Sequence, residues 1–141
     1  MKQVRWLAQW LLRWRWLLVL VLLAALFGVY AHRHNLASAI SEEYAASGKR
    51  TINLAQAVPS AWTKVCILGP YSTAANVKAM LGFDWKLEAH SRVGLDDTVV
   101  LLVFANEQFV VAATDYPRRS PDFTPLAGKC YARAAAVFTL G

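Results

Sequence analysis

The sequence predicts an α+β protein: an N-terminal single transmembrane helix followed by a small, mostly antiparallel sheet with one helix packed on it. Three observations predict it. Trp16 to Ala31 holds no charged and no strongly polar side chain. Trp62 to Gly82 reads as a strand, a tight turn and a capped helix. Thr98 to Thr114 reads as two apolar runs folded back at Asn106-Glu107.

A bilayer-spanning helix needs about 20 apolar residues at about 1.5 Å each. The run from Trp16 to Ala31 is slightly shorter, and Arg13 and Arg15 before it and Arg33 behind it can extend it by reaching to the headgroups. Lys2, Arg5, Arg13 and Arg15 precede the run, and behind it Arg33 stands alone until Lys49. The positive-inside rule therefore predicts a cytoplasmic N-terminus and an exported remainder. Trp6, Trp10 and Trp14 recur every fourth residue, which places them on one helical face with Leu7 and Leu11 beside them, and Trp16 follows. Such rings favour the headgroup layer. A cleavable signal peptide shares this plan, and Ala31 and Ala39 stand where cleavage would fall. The long Trp-bearing segment and the length of the run favour a retained anchor, and no Cys follows, which argues against a lipoprotein. The expected organisation is a cytoplasmic segment at 1–15, an anchor at 16–31, a stalk at 32–50 and an exported domain at 51–141.

The formal charge of +6 belongs to the anchor. Residues 1–39 contain Lys2, Arg5, Arg13, Arg15 and Arg33 and no acid, so the remainder has ten of the fifteen basic residues against all nine acids. A near-neutral domain without a basic stripe argues against nucleic-acid binding, which depends on neutralising phosphates. About a hundred residues suffice for one domain with one core.

Behind the anchor Leu36, Ile40 and Tyr44 give a weak helical stripe, stopped by Gly48. His32 and His34 precede it and lack further ligands at metal spacing, so they read as interfacial side chains. Ile52 and Leu54 alternate as a short strand. Trp62 to Tyr71 is a strand ending at Gly69-Pro70. Ser72 or Thr73 caps a helix with Ala74, Val77 and Leu81 on one face, and Gly82 ends it in the left-handed conformation. Trp85 to Val93 reads as a strand with polar alternation, and Gly94 to Asp97 as a turn. The hairpin Thr98–Phe104 and Gln108–Thr114 is expected at the centre of the sheet. Tyr116 to Gly128 is an ordered loop with three of the five prolines. Cys130 to Leu140 alternates as a last strand whose small Ala132, Ala134 and Ala136 receive the helix after Tyr71.

The pattern W-x-K-V-x-I-x-G-P-Y, followed by a short helix ending in L-G-F and then Trp85, resembles the opening of small bacterial envelope proteins and lipoproteins of uncharacterised activity. It covers Trp62 to Trp85, about a sixth of the chain. The resemblance implies an exported α+β domain and assigns no functional residue.

Cys66 and Cys130 are the two cysteines. An exported domain with one pair joins it in an oxidising compartment, where closing about 60 residues restricts the unfolded chain by roughly 4 kcal/mol. If their strands are not neighbours, both thiols are instead small buried core residues. Neither sits in a Cys-x-x-Cys motif or beside a His.

No Gly-rich phosphate loop, HExxH or metal-spaced cluster is present, so no cofactor and no metal are expected. His90, Ser91, Asp96 and Asp97 have the residue types of a triad but are local neighbours, which reads as a polar strand face leading into a turn. The candidate binding surface is the proline-stiffened loop from Asp115 to Phe123, which would present Tyr116, Arg118, Arg119 and Phe123 at little ordering cost. In a competing reading Arg118 and Arg119 pair with Asp115 and Asp122. The expectation is a membrane-anchored periplasmic protein-binding domain without enzymatic activity, most concretely an immunity- or inhibitor-type protein against a toxin or envelope hydrolase. The alternatives are an accessory subunit of an inner-membrane envelope assembly and a small envelope enzyme using His90 with Asp96 or Asp97.

Overall fold

The computed structural model describes residues 2–119 and 121–140, with side chains of the first helix described at position 10, at 13–31 and from 36 onward. The chain forms two compact units, one through His34 and one from Asn35. The first is the N-terminal part of helix α1 (Lys2–Ala46). Its side chains from Arg13 to Tyr30 are exposed all round. By length and composition this helix is long and apolar enough to span a membrane. Trp10 and Trp14, one turn apart, stack with ring centroids 6.4 Å apart.

The second unit is a four-stranded antiparallel sheet covered on both faces. Its strands are β2 (Lys64–Leu68), β3 (Val99–Ala105), β4 (Val110–Pro117) and β5 (Lys129–Ala132), in the order β4-β3-β2-β5. Every residue of β3 is buried, which explains its unbroken apolar run. Val100, Leu102 and Phe104 enter one core, and Val99, Leu101, Val103 and Ala105 enter the other. The first core is closed by the end of α1, by helix α2 (Leu54–Ala57) and by a separate pair, β1 (Thr51–Asn53) with β6 (Val137–Thr139). The second is closed by helices α3 (Ala74–Leu81) and α4 (Leu87–His90).

Several expectations are met in local detail. Helix α3 starts at Thr73, whose hydroxyl accepts from the Asn76 amide in a capping box, and ends at Gly82 with φ +85°. Gly48, with φ +72°, follows the end of α1. The cysteines are joined: Cys66 and Cys130 stand opposite each other on β2 and β5, their Cα atoms 4.0 Å apart, as in the narrow pair of an antiparallel ladder.

Other expectations are corrected. From Asn35 onward the segment read as a stalk is part of the domain, because Ile40 and Tyr44 are buried in the first core and the Tyr44 hydroxyl donates to the Leu140 carbonyl at 2.7 Å. Trp85 to Val93 contains the one-turn helix α4 instead of a strand, since Leu87-Glu88-Ala89 are good helix formers and only Leu87 of that turn is buried. Hairpin β3–β4 is not central: β4 is half-buried and forms an edge, while β2 and β3 are the middle strands. The last segment is not one strand. A 3-10 turn at Arg133–Ala135 interrupts it, so that β5 belongs to the large sheet and β6 pairs with β1. Alternation in a run of alanines carries too little side-chain volume to bind the chain to one face. Cys130 and Ala132 share the α3 side of the sheet with Cys66, whereas Ala136 and Phe138 lie in the opposite core.

Arg133 holds this crossing in place. Its guanidinium donates to the carbonyls of Ser60 at 2.5 Å, Trp62 at 3.2 Å and Ala55 at 3.5 Å, and lies 4.6 Å from the Trp62 ring centroid. Trp62 itself is core, donating from Nε1 to the Val58 carbonyl at 2.7 Å.

Candidate functional site

Strand pairing draws two loops together at one end of the sheet. The β3–β4 ladder continues beyond its strands, with the Arg118 amide donating to the Thr98 carbonyl at 2.9 Å. This brings the segment before β3 against the segment after β4. Between them lies a cleft of about 550 Å³ lined by Arg92, Asp97, Arg118, Arg119 and Asp122 together with Thr98, Val99 and Pro117.

Its charged groups differ in how far they are engaged. Arg92 pairs with Asp96, Nε to Oδ2 at 2.9 Å. Hydrogen bonds from the Thr98 hydroxyl (2.5 Å) and amide (2.7 Å) hold the Asp96 carboxyl below the usual carboxylate range, with the nearby Arg92 charge adding to the effect. Arg118 donates from Nε to the Thr124 hydroxyl and from Nη1 to the Asp97 carbonyl, each at 3.0 Å. Asp122 accepts from the Thr124 amide and hydroxyl. Among the described residues the side chains of Arg119 and Asp97 have no hydrogen-bond or ion-pair partner, although both line the cleft. Arg119 also lines an adjoining groove of about 460 Å³ with Ala37, Ser38 and Ser41 of α1 and with Tyr116. No known family, curated protein or solved structure matches this chain.

The predicted loop is thus divided. Arg118 and Arg119 are exposed, but Tyr116 and Phe123 are buried in the first core, their rings edge-to-face at 5.2 Å. The Tyr116 hydroxyl shares a hydrogen bond of 2.8 Å with Ser41 Oγ. Burial raises the Tyr116 phenol above its ordinary value, the Ser41 hydrogen bond opposes this, and neighbouring Tyr44 adds to it. The two aromatic rings therefore support the loop from beneath. The expected ion pairs of Arg118 and Arg119 with Asp115 and Asp122 do not form among the described residues. Asp115 instead accepts from the Ser91 hydroxyl and, at 3.1 Å, from the Arg92 amide.

Arg92 is the member that sequence reasoning missed, and Asp97 was considered there only with His90. Extending the β3–β4 register past the Val99–Pro117 pair sets Asp97 opposite Arg119, so the hairpin contained the signal for Asp97. The other chemical candidates have structural partners. His90 donates from Nδ1 to the Lys86 carbonyl at 2.8 Å and stacks on Trp85, centroids 4.7 Å apart. Among the described residues no hydrogen bond joins His90 to Ser91, Asp96 or Asp97. His32 and His34 lie outside the described side chains.

Proposed function

We propose that this chain is a membrane-anchored periplasmic binding domain, held at the outer face of a bacterial inner membrane, whose arginine cleft takes an acidic side chain from a protein partner. The Arg119 guanidinium, which has no partner among the described residues and lines the same cleft as Arg92 and Arg118, is the observation that carries the reading. A guanidinium without an internal partner offers a carboxylate a two-pronged hydrogen bond. Asp97 and Asp122 at the same cleft favour a partner that sets basic residues beside its acidic anchor, so that complementarity of both signs selects it. The most concrete form is an immunity- or inhibitor-type protein that occludes a toxin or envelope hydrolase, acting by binding and not by catalysis.

An accessory role in an inner-membrane assembly is favoured by a different observation, the exposed stacked pair Trp10 and Trp14 on α1. Crosslinking in intact cells followed by capture of the full-length chain separates the two. The cleft reading expects one exported protein whose recovery falls roughly tenfold or more with Arg118→Glu plus Arg119→Glu, whose activity the full-length chain suppresses, and which is indifferent to His90→Ala. Recovery insensitive to the arginines but lost with Trp10→Ala plus Trp14→Ala moves the function to the anchor. Loss of function with His90→Ala in a folded protein would restore the enzyme reading.

A further inference from the structure

The end of the domain that holds the cleft also carries its most exposed apolar side chain. Leu95 is 92% exposed. Its loop is well braced: the Leu95 amide donates to the Arg92 carbonyl at 3.0 Å, Arg92 pairs with Asp96, and Asp115 takes both the Ser91 hydroxyl and the Arg92 amide. Beside it stands Tyr71, 63% exposed, whose amide donates to the Val93 carbonyl at 2.7 Å. Tyr71 has φ +62°, a left-handed conformation that a bulky residue keeps only where its surroundings impose it. A leucine at a rigid apex, a tyrosine next to it and the exposed Arg92 at the root of the loop are the side chains of an interfacial membrane contact.

Covalent reach places a bilayer within range of this end. Arg119 of the cleft shares its second groove with Ala37 and Ser38, and Ala37 is six residues beyond Ala31, the last residue of the apolar run. Six residues span at most about 21 Å even when fully extended. The other end of the sheet differs. Phe109, 56% exposed in the β3–β4 turn, is separated from the Leu95 loop by the whole length of β3, about 20 Å at roughly 3.3 Å per residue.

We propose that the Tyr71–Leu95 end rests on the bilayer surface, with Leu95 entering the acyl boundary, Tyr71 in the headgroup layer and Arg92 against lipid phosphate. The cleft is thereby presented to partners at the membrane surface. This rests on the reading of α1 as a membrane anchor.

The test uses the full chain reconstituted in vesicles of phosphatidylethanolamine and phosphatidylglycerol, with the photo-crosslinker p-benzoylphenylalanine replacing Leu95, Tyr71 or Phe109 in turn. Adducts are identified by mass spectrometry, and protection of both cysteines from thiol labelling checks each variant's fold. Phospholipid adducts are expected at positions 95 and 71 at roughly ten times the yield at position 109, because interfacial burial is confined to one end. Equal yields at the three positions, or adducts at 95 and 71 that are only to a second protein chain, overturn the proposal. Alkaline extraction of the same vesicles separates the two levels. Release of the protein overturns the anchor and this inference together, while retention without lipid adducts overturns this inference alone.

Discussion

Replacing both cysteines with alanine should cost the domain about 4 kcal/mol, and the figure follows from topology. The bridge links positions 64 residues apart. With a loop of that length the closure entropy it removes from the unfolded chain is about 14 cal/mol/K, or roughly 4.3 kcal/mol at 25 °C. A domain of about a hundred residues has roughly 5–15 kcal/mol of stability in total, so the loss is a large fraction. Dividing by an unfolding entropy of about 0.21 kcal/mol/K gives a fall in Tm of roughly 20 °C. The assay is thermal and urea unfolding of the full-length protein in detergent, followed through the fluorescence of the buried Trp62. Wild type treated with reductant under the same conditions should unfold with the double variant. Cys130→Ala alone should cost about as much, because the bridge is lost and the remaining Cys66 thiol is buried. A loss below about 1 kcal/mol would refute the reasoning, since it would mean that β2 and β5 already restrain each other in the unfolded chain.

Arg133→Ala should destabilise the domain by about 2–4 kcal/mol, since it strips a charged donor from three carbonyls and from the Trp62 face. Arg133→Lys should recover only part of this in urea unfolding, because an ammonium cannot serve diverging acceptors in one plane; full recovery would show that charge alone matters. The Tyr116 phenol is raised above 10.0 by folding, so its contribution is complete below pH 10 and declines as pH rises through the folded-state value. Tyr116→Phe should cost about 1 kcal/mol at neutral pH through the lost Ser41 bond. The gap between wild type and variant should then narrow above pH 10, and a gap constant across that range would contradict the assignment.

What could be read from the sequence was what local chemistry decides. Thr73 and Gly82 bracket α3 because capping and a left-handed stop need only neighbouring residues. The continuous run of β3 announced a strand buried on both faces, and one cysteine pair allowed only one bridge. The misread parts depend on distant partners. Tyr116 looked like a presented ring because the partner that covers it, the end of α1, is 75 positions away at Ser41. Cys130 to Leu140 looked like one strand because alanines satisfy a period of two as readily as any other, while the distant partners of Arg133 and of β6 redirect the chain. Half of the candidate site was visible as Arg118 and Arg119. Of the other half, Asp97 follows once the hairpin register is known, whereas Arg92 depends on the bonds from its amide and from Ser91 to Asp115.

The pairing of β1 with β6 has a consequence for how the protein is made. Thr51 faces Thr139, and the hydroxyl of Tyr44 is satisfied by the carbonyl of Leu140. The opening and closing segments of the domain are therefore one structural element. A chain emerging with its N-terminus first cannot complete the first core until residues 137–140 are free, so the contacts that close it are among the longest in sequence separation. Until then Ile40, Tyr44, Ile52 and Leu54 have no finished core to enter. The first core should therefore close in one late step after residues 137–140 are released, whereas the second core draws on residues 66–113 alone.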